Sequence, residues 1–269
     1  MLIGVLFTLI FNANAELTDI QKAREAFLQE GRKDALKILA KSVRKQKDKT
    51  DSKELSEAEK LATRFKTDEA QREFELGESL YFSEQAGSLD KYKNALKLEP
   101  DNLTILYAMI RYYLKEGSCS AAKLQLKNAR NVWKYAKLQY YYNLKIGECE
   151  GKSLDLVKVR NLKKLSPELG SMATVLEIQA LVEKGYGKEA LKLEKLLEGR
   201  DKSFSEIYFW LYKAGELEDG GELGYLRKYL KLCQSYGASE RRSFRLEPLL
   251  CGRIKQVRAM VSKLESGGV

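Results

Sequence analysis

Residues 183–193 read EKGYGKEALKL, and Gly185, Gly187 and Ala190 stand there as G-x-G-x-x-A. That spacing serves loops that hold a dinucleotide's phosphates, where a glycine turn leads from a buried strand into a helix. A second phosphate-loop candidate is EGKS at 150–153. It fails on spacing, because Gly147 lies one residue too close to Gly151 for G-x-x-x-x-G-K-[ST]. The first candidate fails on context. Ahead of Gly185, ATVLEIQALVEK keeps an apolar stripe through Leu176, Ile178 and Leu181 at helical spacing, so no strand feeds the loop. Both stretches read as turns between helices. The chain has no histidine, which removes Ser-His and Cys-His catalysis and histidine metal sites together. Acidic pairs such as Glu216 and Glu218 read as surface charge. No catalytic residue, cofactor or metal site is predicted.

The elements that would position any site are helices. The 269 residues include only three prolines and are 44% hydrophobic, a globular composition rich in helix-forming residues. Apolar runs such as Leu103 to Leu114 keep a helical period and exceed strand length. The first fifteen residues, MLIGVLFTLIFNANA, are uncharged and end in Ala13-Asn14-Ala15, the shape of a secretory signal peptide with an A-x-A cleavage site. The apolar run is too short to span a bilayer, and no later apolar segment is long enough. The formal charge of +10 suits an anionic partner: acidic proteins, cell-wall polymers or lipid head groups, with export arguing against nucleic acid. Lysine-rich stretches such as KSVRKQKDKTDSK at 41–53 read as solvated helix ends and linkers.

Spacing carries the strongest signal. Gly117, Gly151 and Gly185 are equally spaced, with a period of about 34 residues. Ile110, Leu144 and Ile178 form an apolar column at the same offset, and Leu156, Val157, Val159 and Leu162 align with Ala190, Leu191, Leu193 and Leu196. A fixed period with a helix on each side of a glycine turn marks a helical repeat.

In these residues the chain resembles the tetratricopeptide repeat family. YKNALKLEPDN at 92–102 is similar to the end of one unit, with Tyr92 and Ala95 packing and Pro100 closing it. LYAMIRYYLKEGSCSAAKLQLKNAR at 106–130 places Leu106, Tyr113, Gly117, Ala122 and Ala129 at family core spacings. The unit at 135–168 departs: Gly147 replaces the usual aromatic, and Asn143 and Lys163 stand where small or apolar residues belong. The resemblance covers about two-thirds of the chain. It implies an all-α, right-handed solenoid of helix–turn–helix units over 67–235. Ahead of it lie a signal peptide over 1–15, a helical hairpin over 16–47 and a charged linker and helix over 48–66. Capping helices over 236–269 follow.

The resemblance also implies a concave groove lined by the first helix of each pair. By position, Tyr107 aligns with Tyr141 and Arg111 with Lys145, and Lys115 lies one turn beyond Arg111. Each tyrosine sits four residues from its cation, hence on one helix face. A row of tyrosines presented beside a row of cations is the expected partner-binding groove; the alternative is ordinary solvated or part-buried helix residues. The four cysteines suggest disulfides in an exported chain. Cys119 and Cys149 stand equally far from the connection near Lys134, on helices running antiparallel, and so meet at one end. Cys233 and Cys251 flank the next break and are expected to pair likewise; the alternative is four reduced, part-buried thiols.

The expectation is therefore an exported, periplasmic or secreted, non-catalytic scaffold that binds a protein or peptide partner bearing acidic groups. A basic polyanion-binding module is the first alternative. A helical-toroid enzyme with an unrecognised carboxylate site is the second.

Overall fold

The computed structural model describes residues 17–45, 52–165, 169–197, 202–218, 220–235 and 250–266. The expected signal peptide and residues 236–249 of the expected C-terminal cap lie outside them. The described residues are all-α, with fourteen helices and no strand. None of these helices is long and apolar enough to cross a membrane. The chain divides into two compact units, residues 1–62 and 63–269.

In the first unit α1 (Asp19–Gln29) and α2 (Arg32–Lys45) pack on each other, and α3 (Lys53–Thr63) follows, ending at the boundary between the units. Thr18 caps α1 in a capping box, its hydroxyl accepting from the Gln21 amide while the Gln21 side chain accepts from the Thr18 amide. Phe27, Leu36, Leu39, Leu55 and Leu61 make the core. Two polar ties cross it: Arg24 forks onto both oxygens of Glu57 at 2.7 and 2.9 Å, and the buried Arg32 donates to the Leu61 carbonyl at 3.1 Å.

The second unit holds α4 (Asp68–Phe82), α5 (Ser88–Leu98), α6 (Leu103–Lys115), α7 (Cys119–Val132), α8 (Leu138–Cys149), α9 (Leu156–Leu165), α10 (Gly170–Glu183), α11 (Gly187–Glu194), α12 (Ser205–Glu216), α13 (Leu223–Ser235) and α14 (Ile254–Ser266). Close pairs form between α4 and α5, α6 and α7, and α12 and α13. Helices α6 and α8 also touch, as do α10 and α12, so residues one period apart meet across the unit. The two helices of a pair differ in burial. Helix α10 buries every position from Ser171 to Leu181, whereas α7 buries the single stripe of Ala122, Leu126 and Ala129. A helix apolar on all sides belongs inside a stack, and a one-stripe helix on its surface.

The glycine ladder has one structural cause. Gly117, Gly151 and Gly185 adopt φ of +68°, +78° and +77°, left-handed values at which a Cβ is strained. Each closes its helix with the same paired bonds. The following residue's amide reaches back five residues (Ser118 to Tyr113, Lys152 to Gly147, Tyr186 to Leu181), and the glycine's own amide reaches back three. This is the Schellman motif, which satisfies the last carbonyls of α6, α8 and α10. EKGYGKEALKL thus ends one helix and begins the next. Gly187 is the close-contact residue in it: a Cβ there would lie 2.8 Å from the Ala214 carbonyl oxygen, so only glycine lets α11 reach α12.

The unit at 135–168 departs from this pattern. Helix α9 packs mainly on α10 and only lightly on α8, unlike the close α4–α5 and α6–α7 pairs. Its buried residues are Val159 and Leu162, each one position short of a full period after Leu126 and Ala129. Val157, expected in the apolar column, is 67% exposed, and so is Leu196 at 68%. The one-residue slip turns α9 about its axis and leaves Lys163 in solvent, where Ala129 is buried in α7. The hairpin is consequently splayed between α8 and α9.

Candidate functional site: a polar ladder inside and a basic cleft beside it

The residues expected to line an open groove lie inside the unit instead. Tyr141 is wholly buried, and Tyr107, Arg111 and Lys145 are nearly so; of the five, only the Lys115 side chain reaches solvent appreciably, at 30%. Tyr107 stacks on Tyr142 with ring centroids 5.5 Å apart, and Tyr141 packs edge-on against the same ring. The expectation of an accessible row is corrected: these side chains are packing and pairing groups. The physical reason is that α6 and α8 have helices on both flanks, so the face carrying the row meets protein.

The cations of the row form a polar ladder across successive helices. Arg111 on α6 binds Glu78 on α4, and the Tyr92 hydroxyl from α5 lies 3.0 Å from the same guanidinium and donates to Glu78 Oε1 at 2.6 Å. The guanidinium also stands 4.3 Å over the Tyr81 ring and 5.2 Å over Phe82. Burial works against the charge on Arg111, but the Glu78 carboxylate together with Tyr92, Tyr81 and Tyr142 outweighs it and raises the guanidinium's pKa. Burial also pushes the Tyr92 hydroxyl well above its ordinary pKa, so it acts as a donor throughout the accessible pH range. One period later Lys145 donates to Glu148 at 2.8 Å, and Gln179 on α10 donates to the other oxygen of Glu148 at 2.8 Å. Burial pushes the Glu148 carboxyl up, yet Lys145 and Gln179 together hold it below the ordinary range. Arg111, Lys145 and Gln179 are equally spaced, and Glu78 precedes Arg111 by one position less than the same period. This regularity joins neighbouring helices internally.

A similar tie holds the last described helix. Buried Glu206 on α12 accepts from the Tyr229 hydroxyl at 3.0 Å and lies 3.3 Å from Arg253, whose guanidinium sits over Phe209 and Trp210. The Cys233 and Cys251 sulfurs are 2.07 Å apart and those of Cys119 and Cys149 1.95 Å apart, so both expected pairs lie at disulfide distance.

The accessible feature is a cleft of about 640 Å³ where the α8–α9 hairpin splays. Leu124, Lys127 and Arg130 form its α7 wall, Asn143 and Gly147 its α8 wall, and Leu154 its floor toward α9. Gly147 is the vacancy. The same column holds Tyr113 on α6 and Leu181 on α10. A Cβ on Gly147 would meet nothing within 4 Å. Leu124 is 56% exposed beside it.

The cleft's charges are unevenly satisfied. Lys123 and Lys152 both bind Glu150, at 2.8 and 2.6 Å, and those two bonds draw the Glu150 pKa down to about 2. Lys158 lies 3.6 Å from Asp155, which caps α9 through the amides of Val157 and Lys158. Glu148 is held by Lys145. Among the described residues no carboxylate pairs with Lys127, and Arg130 contacts only the Asn143 amide oxygen at 3.0 Å. Ser120 and Lys123 also stand in the cleft as S-x-x-K, a spacing used by serine–lysine nucleophiles. Lys123 pairs with Glu150 at 2.8 Å, and among the described residues no hydrogen bond joins it to Ser120. The sequence hinted at the cleft through the odd residues Gly147 and Asn143. The surplus cations could not be seen there, because pairing depends on which helices approach.

Compared with known proteins, the chain matches no family model, and no curated protein is similar to it at a significant level.

Proposed function

We propose that the protein is an exported, non-catalytic scaffold of tetratricopeptide-like repeats that binds a protein or peptide partner. The observation that carries this reading is the period. Helices α6, α8 and α10 end in the same left-handed glycine turn one period apart, α6 packs on α8, and side-chain pairs link α4 to α6 and α8 to α10. Such stacking builds an extended surface from units that cannot bury their own apolar faces alone. Cysteine pairs at disulfide distance fit an oxidising compartment, with the periplasm the simplest site. Because the tyrosine–cation row is packed inside, the partner surface in this reading is the side on which the α8–α9 hairpin opens.

A pull-down from envelope extract tests the reading. The protein, residues 16–269, retains one or more defined proteins through washes at moderate salt. Retention of nothing but cell-wall polymer or lipid, lost steeply as salt rises, would instead favour a polyanion-binding module, the reading that the net charge of +10 supports.

A further inference from the structure

We propose that the cleft between α7, α8 and the 150–158 segment binds an acidic peptide segment of the partner through one aromatic anchor. The anchor ring fills the vacancy over Gly147, and carboxylates beside it pair with Lys127 and Arg130. The inference rests on the scaffold reading and names the site and the chemistry of its ligand.

Three observations converge. The first is the gap. The repeat column supplies Tyr113 in one helix and Leu181 in another but only Gly147 between them, with open space where a side chain would be. Glycine alone does not make a gap: Gly215 stands in the same column, and a Cβ there would crowd Gly220 and Gly221 at 3.0 Å. The second is apolar wall exposed to water: Leu124, 56% exposed, lines the cleft, with the buried Leu144 behind it. A ring entering it removes the Leu124 surface from water. The third is charge. Glu150 engages Lys123 and Lys152, and Asp155 engages Lys158, leaving Lys127 and Arg130 on the α7 wall without a carboxylate among the described residues. They lie three residues apart on one helix face, so two neighbouring acids on a peptide can meet both. The cleft, at about 640 Å³, is large enough for a few residues of peptide and falls in the range of ordinary ligand sites.

The test uses a fluorescein-labelled peptide, Asp-Glu-Phe-Glu-Asp, and the oxidised protein, residues 16–269, followed by fluorescence anisotropy. The peptide binds, and replacing its Phe by Ala weakens binding about tenfold. Lys127→Glu with Arg130→Glu weakens it at least as much. Gly147→Leu weakens it about tenfold by filling the vacancy. Gly147→Leu also removes a glycine from a helix interior, so the variant melts no lower than the parent, which separates a blocked site from a damaged fold. Equal binding of the Phe and Ala peptides, equal binding of a Lys-Lys-Phe-Lys-Lys control, or full binding by Gly147→Leu each overturns the proposal. Failure of the scaffold reading looks different. If the pull-down recovers partners that bind the Gly147→Leu and Lys127→Glu/Arg130→Glu proteins equally well, the scaffold stands and the cleft is not its site. If it recovers none, the scaffold reading itself falls.

Discussion

Replacing Arg111 by methionine decides whether the tyrosine–cation row is an internal joint or a recognition surface. The side chain is 2% exposed, binds Glu78 and Tyr92, and covers Tyr81. Methionine keeps most of the stem's volume and contact with the ring but removes the charge. Glu78, with 14% side-chain exposure, then keeps only the Tyr92 hydroxyl as a partner. Removing one member of a buried ion pair costs about 3–5 kcal/mol, chiefly from the orphaned charge. Partial water access to Glu78 places the expected loss near the lower end, about 3 kcal/mol. With a urea slope of about 3 kcal/mol/M, the unfolding midpoint falls by about 1 M with the slope unchanged. Adding Glu78→Gln to the same chain removes the orphan and restores part of the loss, so the double-mutant cycle returns a coupling of about 2 kcal/mol. The assay is urea unfolding followed by far-ultraviolet circular dichroism on the two single variants and the double variant. A surface residue reserved for a partner would behave otherwise, shifting stability by less than about 0.5 kcal/mol. A loss that small, or additive single-variant effects, refutes the internal-joint reasoning.

Three other outcomes follow from the same geometry. Gly151→Ala forces a Cβ into a left-handed turn at φ +78° and costs about 1–2 kcal/mol, whereas Gly147→Ala, four residues earlier in open helix, stabilises by about 0.5–1 kcal/mol; thermal melts of the two variants shift in opposite directions. Opening the Cys119–Cys149 pair by double alanine substitution frees a 30-residue loop and costs about 3.5 kcal/mol, measured by urea unfolding, with peptide mapping under non-reducing conditions establishing the parent's linkage. Glu150 titrates near pH 2 instead of its ordinary 4.5, so its clamp with Lys123 and Lys152 contributes in full above about 4.5 and is lost as the pH falls through about 2; side-chain NMR titration reads this midpoint, and Lys123→Met with Lys152→Met raises it toward 4.5. A parent midpoint already at the ordinary value would falsify the clamp.

Features set by neighbours along the chain were legible in the sequence. Gly117, Gly151 and Gly185 marked helix ends because a Schellman turn needs only one residue without a Cβ and the amides on either side of it. The equal distances of Cys119 and Cys149 from their connection placed both sulfurs at one end, because antiparallel helices share a rise per residue. The apolar stripe before Gly185 excluded a strand and with it the dinucleotide loop, and α10 is the resulting helix. Gly147 and Asn143 stood out as wrong for their columns, and the splayed hairpin is where they fall.

Tertiary structure decided which faces are inside. Tyr107, Arg111, Tyr141 and Lys145 carry a pattern equally suited to a groove and to a joint, since a four-residue spacing fixes a face and not its surroundings. Only the approach of α4, α6, α8 and α10 to one another turned that face inward and brought the Glu78 carboxylate to Arg111. The one-residue slip of α9 could not be read from its apolar residues either, because Leu156, Val157, Val159 and Leu162 offer two stripes and the packing on α10 selects one. Gly147 and Gly215 make the division plain. The same residue type in the same column borders empty space in one helix and touching backbone in the other. The chain dictates where a side chain is missing, and the neighbouring helices dictate whether anything is left to fill.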